Sequence, residues 1–99
     1  MKTPRPIDPA MLRACATRLR VLSHPERLRI VEALAGGAKQ VGELAALLRR
    51  PQATTSQHLM RLRALGLVAA DREGRVAHYR IVHRGCLSLL ECIRSHFAA

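Results

Sequence analysis

Between Pro9 and Leu22 the apolar residues Met11, Leu12, Cys15, Leu19 and Leu22 recur at helical spacing, while Arg13, Arg18 and Arg20 lie towards the other side. This predicts an amphipathic first helix. Pro9 suits its first turn, and residues 1 to 8, with Pro4 and Pro6, read as an N-terminal arm and a candidate for disorder. The pattern restarts in "SHPERLRIVEALAGG": Ser23 or His24 can cap, Pro25 fits the first turn, Glu26 suits the positive helix end, and Gly36-Gly37 stop it. The second helix therefore runs from about Pro25 to Ala35. A shorter third helix is predicted from about Val41 to Arg49, with Val41, Leu44, Ala45, Leu47 and Leu48 inward. "RRPQ" breaks it, because the residue before a proline avoids helical angles. A fourth helix covers about Gln52 to Leu65, with Gly66 as its C-cap.

After Gly66 the period changes to two. "LVAADREGRVAHYRI" alternates on both sides of "REGR", which predicts a hairpin with Gly74 in the turn and Arg72 and Arg75 at the tip. "HRGCLSLLECIRSHF" then returns to helical spacing, with Cys86, Leu87, Leu89, Leu90, Ile93 and Phe97 on one side. No internal repeat interrupts this order. The expected fold is mainly α with a β-hairpin, α-α-α-α-β-β-α, as one domain over residues 9 to 99.

The fourth helix is the informative one. At about 100° per residue, Thr55, His58, Leu59, Leu62 and Leu65 share one face. Ala53, Ser56, Gln57, Met60 and Ala64 share the opposite one, flanked by Arg61 and Arg63. A helix that enters a DNA major groove needs small or amide side chains towards the base edges and arginines towards the phosphates at its margins. Gln52 and Gln57 can each make a bidentate contact to adenine. Any surface helix also turns polar residues outward, so the helix alone does not decide the matter. A short helix, a break, a longer helix of this kind and a basic hairpin together spell a helix-turn-helix with a wing. His58 falls on the inner side and reads as structural, whereas Arg49 and Arg50 are either solvated charges or phosphate contacts.

Composition narrows the function. Seventeen Lys and Arg against seven Asp and Glu give a net charge of +10, which points to a polyanionic partner or an anionic membrane surface. No apolar run approaches the roughly 18 residues of a membrane span, and "MKTPRPIDP" lacks the apolar stretch of a secretory signal, so a cytoplasmic protein with a double-stranded DNA partner and no membrane partner is expected. Aromatics are 2% of the chain, which leaves aliphatic residues to build the core. No nucleophile elbow, phosphate loop or acid pair appears, which excludes an evident enzyme. Three cysteines without a C-x-x-C pair fit reduced thiols better than a disulfide framework or zinc ribbon.

The segments "LSHPERLRIVEAL", "VGELAALL", "QATTSQHLMRLRALGLV" and "REGRVAHYRI", in this order and spacing, resemble the ArsR/SmtB family of bacterial winged-helix repressors from about Leu19 to Phe97. The resemblance implies a DNA-binding transcriptional repressor that dimerises through its first and last helices. It puts Gln52, Ala53, Ser56 and Gln57 at base-contacting positions and Arg72 and Arg75 on the wing, beside the backbone or minor groove. Ala53 replaces a commonly hydroxylated residue and Met60 a frequent lysine. The first and last helices each carry an aliphatic stripe that the small core would not fully cover, which independently favours a homodimer. Twofold symmetry would set two recognition helices about 34 Å apart and call for a near-palindromic operator.

The family's Cys-x-Cys metal motif is absent, since "ELAAL" stands there. At its other metal site, on the last helices, His83 and His96 match two ligand positions while Gly85 and Ala99 occupy the rest, leaving half a tetrahedral zinc shell. No cofactor is required by the sequence, and a metal or thiol-bound effector is the expected regulator. Among the thiols, Cys15 and Cys86 lie mid-stripe, where a free cysteine commonly serves as a small hydrophobe. Cys92, at the stripe's edge one turn before His96, is the foremost sensor position. Thiol modification near the dimer seam (oxidant, sulfide or arsenite) is thus expected to release DNA, and Cys92→Ser to abolish the response. The alternatives are a zinc-responsive repressor and a nonspecific nucleic-acid-binding winged helix.

Overall fold

Helix α1 (Pro9–Leu22) opens the chain in a computed structural model that describes residues 4–97. Residues 1–3 of the arm, and Ala99, lie outside the described residues. Residues 4 to 8 are exposed, and the Asp8 carboxylate accepts the Ala10 N–H at 2.8 Å, capping α1 where its first amides lack partners. Helices α2 (Pro25–Ala35), α3 (Val41–Leu48) and α4 (Gln52–Ala64) follow, then strands β1 (Val68–Glu73) and β2 (Val76–Ile81), then α5 (Gly85–His96). The element order is the one the periodicity predicts.

Local chemistry explains the boundaries. At α2 it is His24, not Ser23, that caps, its Nδ1 accepting the Glu26 N–H. Gln40 and Glu43 form a capping box at α3. That helix ends one residue earlier than expected: Arg49 turns left-handed (φ 55°), and the Arg50 N–H donates to Ala45 O, closing the end before Pro51 is reached. Leu47 is exposed rather than inward, because α3 buries only the Leu44–Ala45 side. Leu65 caps α4, and Gly66 supplies the left-handed turn (φ 69°) into β1.

The core gathers Ile30, Val31 and Leu34 from α2, Leu44 from α3, Leu59 and Leu62 from α4, Leu67 and Val68, Cys86 and Leu90 from α5, and Leu22 from the end of α1. The strands pair antiparallel from Val68↔Ile81 to Glu73↔Val76. One further pairing has no periodic signal: Lys39 and Tyr79 exchange both backbone hydrogen bonds, at 3.0 and 2.8 Å, and fasten the wing to the segment before α3. The rest of α1 stays outside this core. The protein's Cα radius of gyration, 15.1 Å, exceeds the ~13 Å of a closed domain of this length.

Candidate nucleic-acid interface

Helix α4 is held by its inner face. Thr55, His58, Leu59 and Leu62 are buried, and the Thr55 hydroxyl donates to Pro51 O at 3.2 Å. The opposite face is open: Ala53, Gln57, Met60 and Ala64 are exposed and Ser56 is half-buried, while Gln52 in the first turn and Arg61 and Arg63 on the flanks are exposed too. Met60 reaches 69% exposure, so it takes no part in anchoring the helix. Gln57, Met60, Arg61 and Ala64 line one shallow surface depression. The structure thus brings Gln52, Ala53, Ser56 and Gln57 to one outward surface, with Arg61 and Arg63 further along the same helix. No acidic residue stands in the first turn of α4, so nothing there repels an approaching phosphate.

Arg72 and Arg75 are exposed at the wing tip, where Gly74 (φ 62°) makes the turn. Asp71 is held by Arg80 at 2.7 Å, which neutralises one acid of the wing. Arg50 is less free than the sequence suggests, because its Nε donates to Glu26 Oε2 at 3.1 Å.

His58 is structural, as its face predicts, but its polar partners were not legible. Its Nδ1 accepts from Arg27 Nε at 3.1 Å, and its Nε2 lies 3.2 Å from Glu26 Oε1. Burial pushes the imidazole pKa below its ordinary value, and the Glu26 bond offsets only part of that. For Glu26, burial alone would raise the pKa; the His58 hydrogen bond and the Arg50 charge outweigh it and hold the carboxyl below its usual value.

The thiols occupy unlike places. Cys86 is buried, and burial pushes its pKa up, whereas Cys15 and Cys92 are exposed on the protomer. Cys15 and Cys86 border one apolar cavity of about 110 Å³ between α1 and α5, together with Arg18 and His83. Cys92 is not among the residues lining it. The Arg18 Nε in its wall is buried without a hydrogen-bond partner. His83 stands two residues before α5 and His96 at its end, and His83 Nδ1 accepts the Gly85 N–H at 3.0 Å. Among the described residues no three His, Cys, Asp or Glu side chains converge on a metal position. Within one protomer the described residues bring no tetrahedral zinc shell together.

An aliphatic three-helix core, a helix pair with the second member's polar face exposed, and a basic hairpin define a winged helix-turn-helix protein of the DNA-binding class. The sequence pattern of the family described as "bacterial regulatory protein, arsR family" matches residues 24–70. The biofilm growth-associated repressor of Agrobacterium fabrum is 39% identical over 84 residues, 85% of this chain and 72% of that one. Among solved structures, the homodimeric winged helix-turn-helix DNA-binding domain Mb0332 of Mycobacterium bovis superposes with a TM-score of 0.77 at 30% identity, over 95% of this chain and 87% of that one. The AntR antimony-specific transcriptional repressor superposes with a TM-score of 0.82 at 33% identity, over 92% and 83%. The chain belongs to the arsR family of bacterial regulatory proteins. It is a transcriptional repressor of that family, not an enzyme. Among its described residues no helix is long and apolar enough to cross a membrane.

Proposed function

We propose that this repressor acts as a homodimer on a near-palindromic DNA operator, with α4 in the major groove and the wing beside it, and that thiol modification between α1 and α5 releases it. The observation that carries the DNA reading is the division of α4: four buried residues lock one face, and the amides, Met60 and both arginines are left to the other.

Dimerisation is supported by the apolar residues α1 and α5 leave uncovered. Met11, Leu12, Leu19, Leu87 and Phe97 are exposed, and Leu19, Leu89, Ile93 and Phe97 border one apolar groove across both helices. A second copy would bury this strip, and the neighbour Mb0332 is homodimeric.

For the effector, the shared cavity favours Cys15 with Cys86 over Cys92, because two thiols bordering one apolar cavity can both bond a single thiophilic species or each other. An antimony-specific neighbour fits that chemistry, since antimony bonds thiolates. The test is fluorescence anisotropy with duplexes selected from a random pool, using reduced protein and protein treated with peroxide, persulfide, arsenite or zinc. Selected duplexes should be bound at least a hundredfold more tightly than random DNA at physiological salt. Equal affinity for both would mean a nonspecific nucleic-acid binder, and release by zinc alone would shift the effector reading to a metal.

A further inference from the structure

At the buried edge of α4, facing away from the proposed DNA surface, a chain of polar side chains links three helices. Arg27 in α2 donates from Nη1 to Val21 O in the last turn of α1 (2.9 Å) and from Nε to His58 Nδ1 in α4 (3.1 Å). His58 Nε2 meets Glu26 Oε1 (3.2 Å), and Glu26 Oε2 takes Arg50 Nε from the turn before α4 (3.1 Å). A guanidinium has no acceptor, so Nδ1 presents its lone pair, and an ionised carboxylate has no proton to give, so Nε2 carries the N–H. The ring is neutral and held in one tautomer by partners on both sides.

We propose that Arg27 and neutral His58 are positioning residues for DNA binding: they tie the recognition helix to the end of α1, and protonation of His58 undoes the tie. The inference rests on α4 being the recognition helix. A protonated imidazole is a donor at both nitrogens, so Arg27 would then face N–H with N–H. Every packed element bears on the balance. Glu26, from α2, favours a second proton on the ring. Arg27 of α2 opposes it, as does His24, the α2 N-cap, whose ring meets that of His58 edge-on at 4.7 Å. Arg61 of α4 acts on Arg27 in the same repulsive sense, and Arg50 draws off part of the Glu26 charge. Acid therefore removes the Arg27 bond without supplying Arg27 another partner. Its other contact is the α1 carbonyl, so the loss separates the helix at the proposed dimer seam from the helix that reads DNA.

Two amides distinguish this from a packing role. An asparagine places its oxygen near the Nδ1 position and can accept from Arg27, yet cannot titrate; a glutamine reaches the Nε2 position and leaves Arg27 without its acceptor. Wild-type protein, His58→Asn and His58→Gln are titrated with a labelled duplex, recovered by the wild type from a random pool at pH 7.5, between pH 7.5 and 5.0 at constant salt. His58→Asn should bind near wild type at pH 7.5. Relative to it, wild-type affinity should fall about tenfold towards pH 5.0, and His58→Gln should be about tenfold weaker already at pH 7.5. Parallel pH profiles for wild type and His58→Asn, or wild-type affinity in His58→Gln, overturn the inference alone. Failure to recover any duplex overturns the DNA reading beneath it. Should either variant not fold, nitrogen-15 spectra of histidine-labelled wild-type protein decide: a bare Nδ1 at pH 7.5, with α4 amide signals shifting as it protonates, is expected. A proton on Nδ1 at pH 7.5 overturns the proposal.

Discussion

Gly42 in α3 lies so close to the start of α4 that a methyl group on it would come 3.3 Å from the Gln52 side-chain nitrogen. The amide expected to read a base edge therefore rests over the one residue of its partner helix that has no side chain. Gly42→Ala should leave the thermal midpoint unchanged or slightly raised, since alanine is the better helix former by up to about 1 kcal/mol. The displaced Gln52 should cost several-fold in operator affinity. A calorimetric scan beside an anisotropy titration measures both, and unchanged affinity would show that Gln52 does not work from this position.

Base readers and backbone contacts should separate by their salt dependence. Gln52→Ala and Gln57→Ala should each lose about 1 to 3 kcal/mol of discrimination at particular base pairs. Arg72→Ala and Arg75→Ala, at the exposed tip, should weaken selected and random duplexes alike and each lower the salt slope by about one. The measurement is affinity against salt concentration for both kinds of duplex.

The uncovered strip makes a prediction about assembly. Leu19 is 47% exposed and Phe97 74% on the protomer, so a charge at Leu19 need not disturb the core. Leu19→Glu should sediment as a folded monomer at micromolar concentration, with normal helical circular dichroism, and should lose operator binding by more than tenfold as the second recognition helix is lost. A variant that remains a dimer would place the seam elsewhere.

Acid should act on stability in a defined order. The folded His58 takes its proton at a lower pH than the ordinary 6.5, so the unfolded chain is protonated first and stability falls as pH drops through that value. Glu26 is held below its ordinary 4.5, so what it contributes is present above that value and is lost as pH falls through the lower folded one. Thermal midpoints from pH 8 to 4 should therefore decline in two stages, and His58→Asn should flatten the first. A wild-type midpoint constant down to pH 5 would contradict the His58 burial.

Thiol labelling checks the cavity. Iodoacetamide at pH 7.5 should modify Cys86 far more slowly than the exposed Cys15 and Cys92, because it is buried and its pKa is raised. DNA release by thiophilic reagents should disappear in Cys15→Ser and in Cys86→Ala and persist in Cys92→Ser. Persistence in the first two and loss in the third would return the sensing role to Cys92.

What the sequence by itself determined is whatever depends on neighbours three or four residues away, or two along a strand. Apolar spacing placed all five helices and the hairpin, set Leu59 and Leu62 against Ser56, Gln57 and Met60 on opposite sides of α4, and turned His58 inward. Such periodicity follows from backbone geometry within one element. Tertiary structure decided which residues come together across elements: the Arg27 and His58 side chains, Gly42 beside Gln52, the Lys39 and Tyr79 backbones, and Cys15 and Cys86 around one cavity. These meetings depend on the angles and distances at which helices pack, which no local period encodes. The same limit explains Leu47, whose spacing suits an inner face but which no other element covers.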